Sequence, residues 1–255
     1  MSYIGTAGYS YKDWIGPFYP EGTKPANMFD YYASNFNFVE INSTYYHMPG
    51  LRLFESLNKK TSEEFKFSVK LYKGFTHEGK GSRLEAEKFV YSLMPVIESN
   101  KMMCILAQFP YSFHYNQENM ELLKKLREWF TDLQISVEFR GQDWIRQDVM
   151  TFLKKENLGF VCVDEPKIRG LIKNVISVTS DVAYLRLHGR NAGKWYGSEG
   201  NERYNYLYTW DELYEWVPRI KELEKRSRFM MISFNNHPMG KAIQNARMMA
   251  ELLKS

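Results

Sequence analysis

The sequence predicts an α/β fold, a single (βα)8 TIM barrel forming one domain over residues 1–255. Three observations lead there. Eight short apolar, β-branched or aromatic runs recur along the chain, each ending in polar residues, as in Ala183-Tyr-Leu-Arg-Leu-His-Gly-Arg190 and Phe38-Val-Glu-Ile-Asn-Ser-Thr44. A helical stretch follows each run, and strands alternating with helices imply βα units on a parallel sheet. A length of 255 residues suits eight such units, and eight close a barrel whose ligand site lies where the strands end.

Strand 1 covers 3–7. It runs into a loop rich in Gly, Pro and aromatics, 8–25, and a helix at 26–35. Strand 2 is 38–42 with its helix at 51–60, and strand 3 is 65–70 with its helix at 84–99. Strand 4 is 103–108. Its helix, 117–130, places Leu122, Leu123, Leu126, Trp129 and Phe130 at helical spacing. Strand 5 is 134–139 and its helix 147–156. Strand 6, 160–164, leaves room for only a short helix, 167–171. Strand 7 is 183–188. Its helix starts near Thr209, because Thr209-x-x-Glu212 fits a capping box in which hydroxyl and carboxylate satisfy free amides. Strand 8 is 229–234, and the last helix is 241–254.

Charged residues at 25% and aromatics at 16% describe a globular chain. The net charge of +4 is compatible with anionic ligands but too small to indicate nucleic acid by itself. No apolar stretch reaches the roughly 20 residues that span a bilayer, so no membrane partner is expected. The start, Met1-Ser-Tyr-Ile-Gly, reads as a strand rather than a signal segment. Cys104 and Cys162 fall inside strands without metal-site spacing and read as buried thiols of a cytoplasmic protein. The oligomeric state is not specified.

Strand side chains alternate faces, and the outer face of a barrel strand must be apolar to pack on helices. That criterion points Glu40, Asn42, Lys70, Gln108, Glu138, Arg140, Asp164, Arg186, His188 and Asn235 inward near the mouth. Glu40, Glu138 and Asp164 then balance Lys70, Arg140 and Arg186. One reading is an ion-pair network that fills the lumen, since buried charges must be paired. The other is a ligand site, since packed apolar layers would stabilise as well.

Two loops add to the second reading. The glycine-rich, basic loop after strand 7 carries Arg190, and strand 8 ends in Asn235-Asn236-His237-Pro-Met-Gly240-Lys241. Loops in these positions often bind phosphate through backbone amides and a helix N-terminus. Aromatics crowd the same end, with Tyr9, Trp14, Tyr45 and Trp195 as a rim able to stack on bases or sugars. No Gly-x-Gly-x-x-Gly or Walker loop is present, so no nucleotide cofactor is expected. Glu138, Asp164, His188 and His237 are the candidate ligands of a divalent metal. The interleaved Arg140 and Arg186 argue against one, and no metal is assigned.

Several segments together resemble the YecE-like family, domain of unknown function 72. They include Gly5-Thr-Ala-Gly-Tyr-Ser-Tyr-Lys-Asp-Trp14, Val39-Glu-Ile-Asn-Ser-Thr-Tyr-Tyr46, Phe67-Ser-Val-Lys70, Ala107-Gln-Phe-Pro110, Val137-Glu-Phe-Arg140, Val163-Asp-Glu-Pro166, Arg186-Leu-His-Gly-Arg190 and Phe234-Asn-Asn236. They run nearly end to end. The resemblance implies a TIM barrel and no particular activity. Ala7 departs from it, standing where a Ser is frequent.

The resulting expectation is an enzyme acting on a small anionic, phosphorylated or nucleotide-like molecule. Arg186, Arg190 and Lys70 would neutralise the anion. His188, Glu138 or Asp164 would serve as acid and base, and Asn42, Gln108 and Asn235 would orient the ligand. A nucleic-acid binder or metal-dependent nuclease, and a non-catalytic small-molecule binder, stay open as alternatives.

Overall fold

The computed structural model of the chain describes residues 2–197 and 201–254. Eight parallel strands close into a barrel in chain order: β1 Ser2–Ala7, β2 Phe38–Ile41, β3 Lys66–Lys70, β4 Met102–Gln108, β5 Ile135–Glu138, β6 Leu158–Asp164, β7 Val182–Leu187 and β8 Phe229–Phe234. β1 pairs with β8 as well as with β2, so the sheet has no free edge. Around it lie α1 Pro25–Ala33, α2 Leu51–Lys59, α3 Arg83–Glu98, α4 Gln117–Trp129, α5 Gln147–Lys155, α6 Trp210–Tyr214, α7 Val217–Arg226 and α8 Lys241–Leu252.

Local chemistry explains the ends of these helices. Pro25 opens α1, where its missing N–H is not needed. Ser82 and Asn116 cap α3 and α4 by accepting from the amides of Glu85 and Asn119. Thr209 and Glu212 form the reciprocal capping box at α6. Asn100 and Asn157, at φ 56° and 51°, follow α3 and α5 in the left-handed conformation that Asn tolerates. The α3 helix shows how the layers meet: Ala86, Phe89, Leu93 and Val96 are buried at helical spacing, toward the sheet.

Three expectations need correction. The segment 167–171 is not helical. Pro166 precedes it and Gly170 adopts φ 95°, and the chain instead bridges Gly141 to Leu171, with the Gln142 amide donating to the Gly170 carbonyl. The helix after Thr209 is two helices, because Pro218 in the first turn of α7 has no N–H to continue α6.

The third correction concerns β6. Its register sets Val161 beside Tyr184, Val163 beside Arg186 and Asp164 beside Leu187. Neighbours in a parallel register share a face, so Val161 and Val163 point inward. Cys162 and Asp164 point outward, opposite to the parity expected. Phe160-Val-Cys-Val163 is apolar at every position, so an apolar-outward rule has nothing to choose between. Among the described residues, no helix is long and apolar enough to cross a membrane.

Candidate functional site at the barrel mouth

Arg186, near the end of β7, is the centre of the upper barrel and is 1% exposed. Its Nε lies 2.8 Å from Glu40 Oε2 and its Nη2 2.6 Å from Glu40 Oε1, a two-pronged grip. Its Nη1 donates to Glu138 Oε2. The Tyr184 hydroxyl donates to Glu40 as well. Arg140, just past β5, places Nη2 2.9 Å from Glu138 Oε1 and Nη1 2.7 Å from Glu165 Oε2. His188 Nε2 lies 3.2 Å from Glu138 Oε1, while its Nδ1 lies 3.0 Å from the Asn235 Nδ2 amide. An amide nitrogen only donates, so Nδ1 accepts and the ring proton sits on Nε2, facing Glu138.

Burial and pairing set the charges. Burial alone would raise the pKa of Glu40, but Arg186 outweighs it and holds the carboxyl below its ordinary value. Glu138 is held well below for the same reason, with Arg140 and His188 adding to Arg186. Burial pushes His188 down to about 4, and the charge of Arg140 pushes the same way against Glu138. Its imidazole is therefore neutral at pH 7. Glu165 goes the other way: burial and repulsion from Glu138 exceed the pull of Arg140 and lift it to about 7.

Above this network opens a cavity of about 970 Å³. Its wall carries Lys70, Arg140, Arg186 and Arg203 and, among the described residues, no carboxylate. Asn42, Gln108 and Asn235 face it from the ends of β2, β4 and β8, and Tyr9, Tyr45, Trp195 and Tyr204 supply rings. The Lys70 ammonium lies 2.7 Å from Gln108 Oε1 and 4.4 Å from the centre of the Tyr45 ring. Burial and the charge of Arg186 bring Lys70 down to about 8, although Glu138 and Glu40 oppose the shift. The Arg140 guanidinium lies 5.8 Å from the Trp195 ring. His237 stacks on Tyr11 at 4.3 Å, and burial lowers it to about 4. Two buried atoms of the wall residues, Asn42 Oδ1 and His237 Nδ1, have no hydrogen-bond partner among the described residues.

The residues singled out in the sequence divide into three groups. Asn42, Lys70, Gln108, Arg140, Arg186, Asn235, Tyr9, Tyr45 and Trp195 reach the cavity wall. Glu40, Glu138 and His188 are fully buried and absent from the wall; Glu40 and Glu138 hold the arginines beneath it, and His188 sits against Glu138.

The remainder lie elsewhere. Asp164 faces the helices. Its Oδ1 accepts from the Tyr208 hydroxyl at 2.7 Å, and its Oδ2 accepts from Trp216 Nε1 and Arg190 Nη2, both at 2.8 Å. Arg190 is thereby taken up by Asp164, with Glu212 and Glu215 at 3.4 and 3.3 Å, and does not reach the cavity. Asn236 donates to the Tyr206 carbonyl and to Asn245 Oδ1. Gly240 precedes α8 at φ 73°, a left-handed conformation, and a Cβ there would sit tightly against Pro17. Trp14 is fully buried and donates to the His237 carbonyl at 2.7 Å, so it is core rather than rim.

Sequence reasoning missed Glu165, Arg203, His77 and Tyr204. Glu165 follows from the corrected β6 register: small Gly159 fits beside Ser136 inside the barrel, and every second residue after it points in. Arg203 and Tyr204 come from a long loop without periodicity and leave no comparable signal. Among the described residues, no group of three or more His, Cys, Asp or Glu side chains is placed to hold a metal ion. Glu138 and Asp164 lie on opposite faces of the barrel wall.

Known proteins share this architecture over its full length. The family model described as "Protein of unknown function DUF72" matches residues 3–255. The UPF0759 protein YunF of Bacillus subtilis (strain 168) is 33% identical over 270 residues, covering 99% of this chain and 95% of that protein. The structure of a DUF72 family protein from Thermotoga maritima MSB8 is 39% identical, with a TM-score of 0.93 over 100% of both chains. That of a DUF72 family protein from Enterococcus faecalis V583 is 27% identical, with a TM-score of 0.90 over 100% of this chain and 96% of the other. The chain belongs to the DUF72 family.

Proposed function

We propose that the barrel mouth binds and acts on a small anionic molecule with a flat or sugar-like part, such as a phosphorylated or nucleotide-like compound. The observation that carries this reading is the composition of the wall: four cationic side chains and, among the described residues, no carboxylate. Such a wall neutralises an anion without repelling it. Arg203 and Arg140 take the anionic end with Arg186 behind them, the rings stack on the flat part, and Asn42, Gln108 and Asn235 orient it. His188, Glu138 and Asp164 do not touch the cavity. The reading gives them the work of fixing Arg186, Arg140 and Arg190, and leaves Lys70 as the wall group that titrates near neutral pH.

The test is a thermal-shift screen of phosphate- and carboxylate-bearing aromatics and sugars. A ligand at a hundred times its Kd adds about 2.7 kcal/mol. At roughly 2–4 °C per kcal/mol for a chain near this size, that raises Tm by about 5–11 °C. Arg203→Ala lies on a loop, and loss of one charge-assisted contact should weaken binding by about ten- to a hundredfold. If anionic compounds give no shift while oligonucleotides bind with steep salt dependence, the small-molecule reading is wrong.

A further inference from the structure

We propose that Lys70 is an amine nucleophile that takes a small anionic aldehyde or ketone as an imine in the mouth cavity. The inference rests on the anion-site reading above and names the substrate class within it.

Position comes first. Lys70 is the last residue of β3, and its side chain lies on the cavity wall. An amine attacks a carbonyl only through a free lone pair, so its surroundings must raise the share of neutral amine. Burial and the nearby arginines do so for Lys70, against the opposing pull of Glu138, Glu40 and the Tyr45 ring. Among the described residues it forms no ion pair with a carboxylate, its one hydrogen-bond acceptor is Gln108 Oε1, and Arg140 and Arg186 share the same cavity. Gln108 is itself fixed, because its Nε2 donates to the Phe109 carbonyl and so turns Oε1 toward Lys70. A neutral amine can donate one N–H to that oxygen and present its lone pair to the cavity.

Lys101 shows the contrast. It is also buried, but its Nζ has three acceptors: the Asn58 and Thr61 carbonyls, each at 3.0 Å, and Thr61 Oγ1 at 3.1 Å. Burial lowers the pKa of Lys101 too, but those three acceptors occupy its N–H groups and it does not line the mouth cavity, so it presents no lone pair there.

The step balances without a further reagent. The Nζ lone pair forms a bond to the carbonyl carbon, and the C=O π pair moves to oxygen. That oxygen takes up a proton as nitrogen loses one, giving a carbinolamine. The second N–H proton then departs as the C=N bond forms, and the hydroxyl leaves with a proton as water. The net change is amine plus carbonyl to imine plus one water. The arginines of the wall hold the carboxylate or phosphate of the same molecule.

Pyridoxal 5′-phosphate, an aromatic aldehyde with a phosphate, is the probe. The intact protein is incubated with it, reduced with borohydride and mapped by peptide mass spectrometry. Pyridoxine 5′-phosphate, the alcohol that cannot form an imine, is titrated in parallel by calorimetry. The expected result is labelling of Lys70 on the order of tenfold above exposed lysines such as Lys80, Lys88 and Lys125, with competition by the alcohol. Lys70→Arg should lose that label. If the alcohol binds but labelling follows exposure alone, Lys70 is not a nucleophile and the anion site stands. If the alcohol does not bind and Lys70 is unlabelled, the imine proposal is overturned and the anion reading is weakened with it.

Discussion

Arg186 illustrates how one residue can be indispensable to a site without being free to react. Its guanidinium satisfies two buried carboxylates at once, and each of them depends on it differently. Glu138 also has Arg140, whereas among the described residues the one other hydrogen-bond partner of the Glu40 side chain is the Tyr184 hydroxyl. Arg186→Met should therefore strand Glu40 as an uncompensated buried charge. Removing one partner of a buried pair costs about 3–5 kcal/mol, or roughly 6–20 °C in Tm. Adding Glu40→Gln should recover part of that loss in thermal melts. A single variant as stable as the parent would show that the network carries no such load. The inward direction of Arg186, Glu40 and Glu138 was legible in the sequence because each alternates with β-branched or leucine residues. Their inaccessibility was not, since which of two stacked inward residues meets solvent depends on the loops above.

At the scale of elements, Asp164 ties the end of β6 to the β7–α6 connection through Tyr208 and Arg190, and to the α6–α7 junction through Trp216. Asp164→Asn removes the charge from all three contacts. With charge-assisted bonds at about 1.5–3 kcal/mol, Tm should fall by several degrees while ligand affinity at the cavity stays unchanged. Loss of affinity without loss of Tm would return Asp164 to the binding machinery. The order of the eight strands was readable throughout, and the Thr209 capping box was readable to the residue. Two failures have definite causes. A strand apolar on both faces carries no parity, and the segment after β6 uses a backbone bridge to Gly141 in place of helical bonds, a long-range contact that no local pattern encodes.

Across the whole molecule, pH acts through groups set against one another. His77, His188 and His237 are lowered by burial from 6.5 to about 4. Between those values the unfolded chain binds protons that the folded chain does not. Their contribution is therefore intact above pH 6.5 and lost as pH falls toward 4. Glu165 is raised from 4.5 to about 7, so the folded chain keeps a proton that the unfolded chain releases. Its contribution is present below pH 4.5 and lost as pH rises toward 7. Three groups against one predict that Tm falls on acidification from pH 6.5 to 4.5. Glu165→Gln removes the opposing group and should make the fall steeper. An unaltered slope would mean that Glu165 is ionised throughout.

The cavity wall draws Asn42, Lys70, Gln108, Arg140, Arg186 and Asn235 from six different strand ends. A sheet closed on itself keeps its backbone bonds whatever these tips carry. Mutational drift can therefore revise tips that stand outside the buried Glu40–Arg186–Glu138–Arg140 network, such as Asn42, without unfolding the sheet. Relatives with the same frame are free to diverge in what they accept, so shared ancestry within this family predicts the shape of the vessel better than its contents.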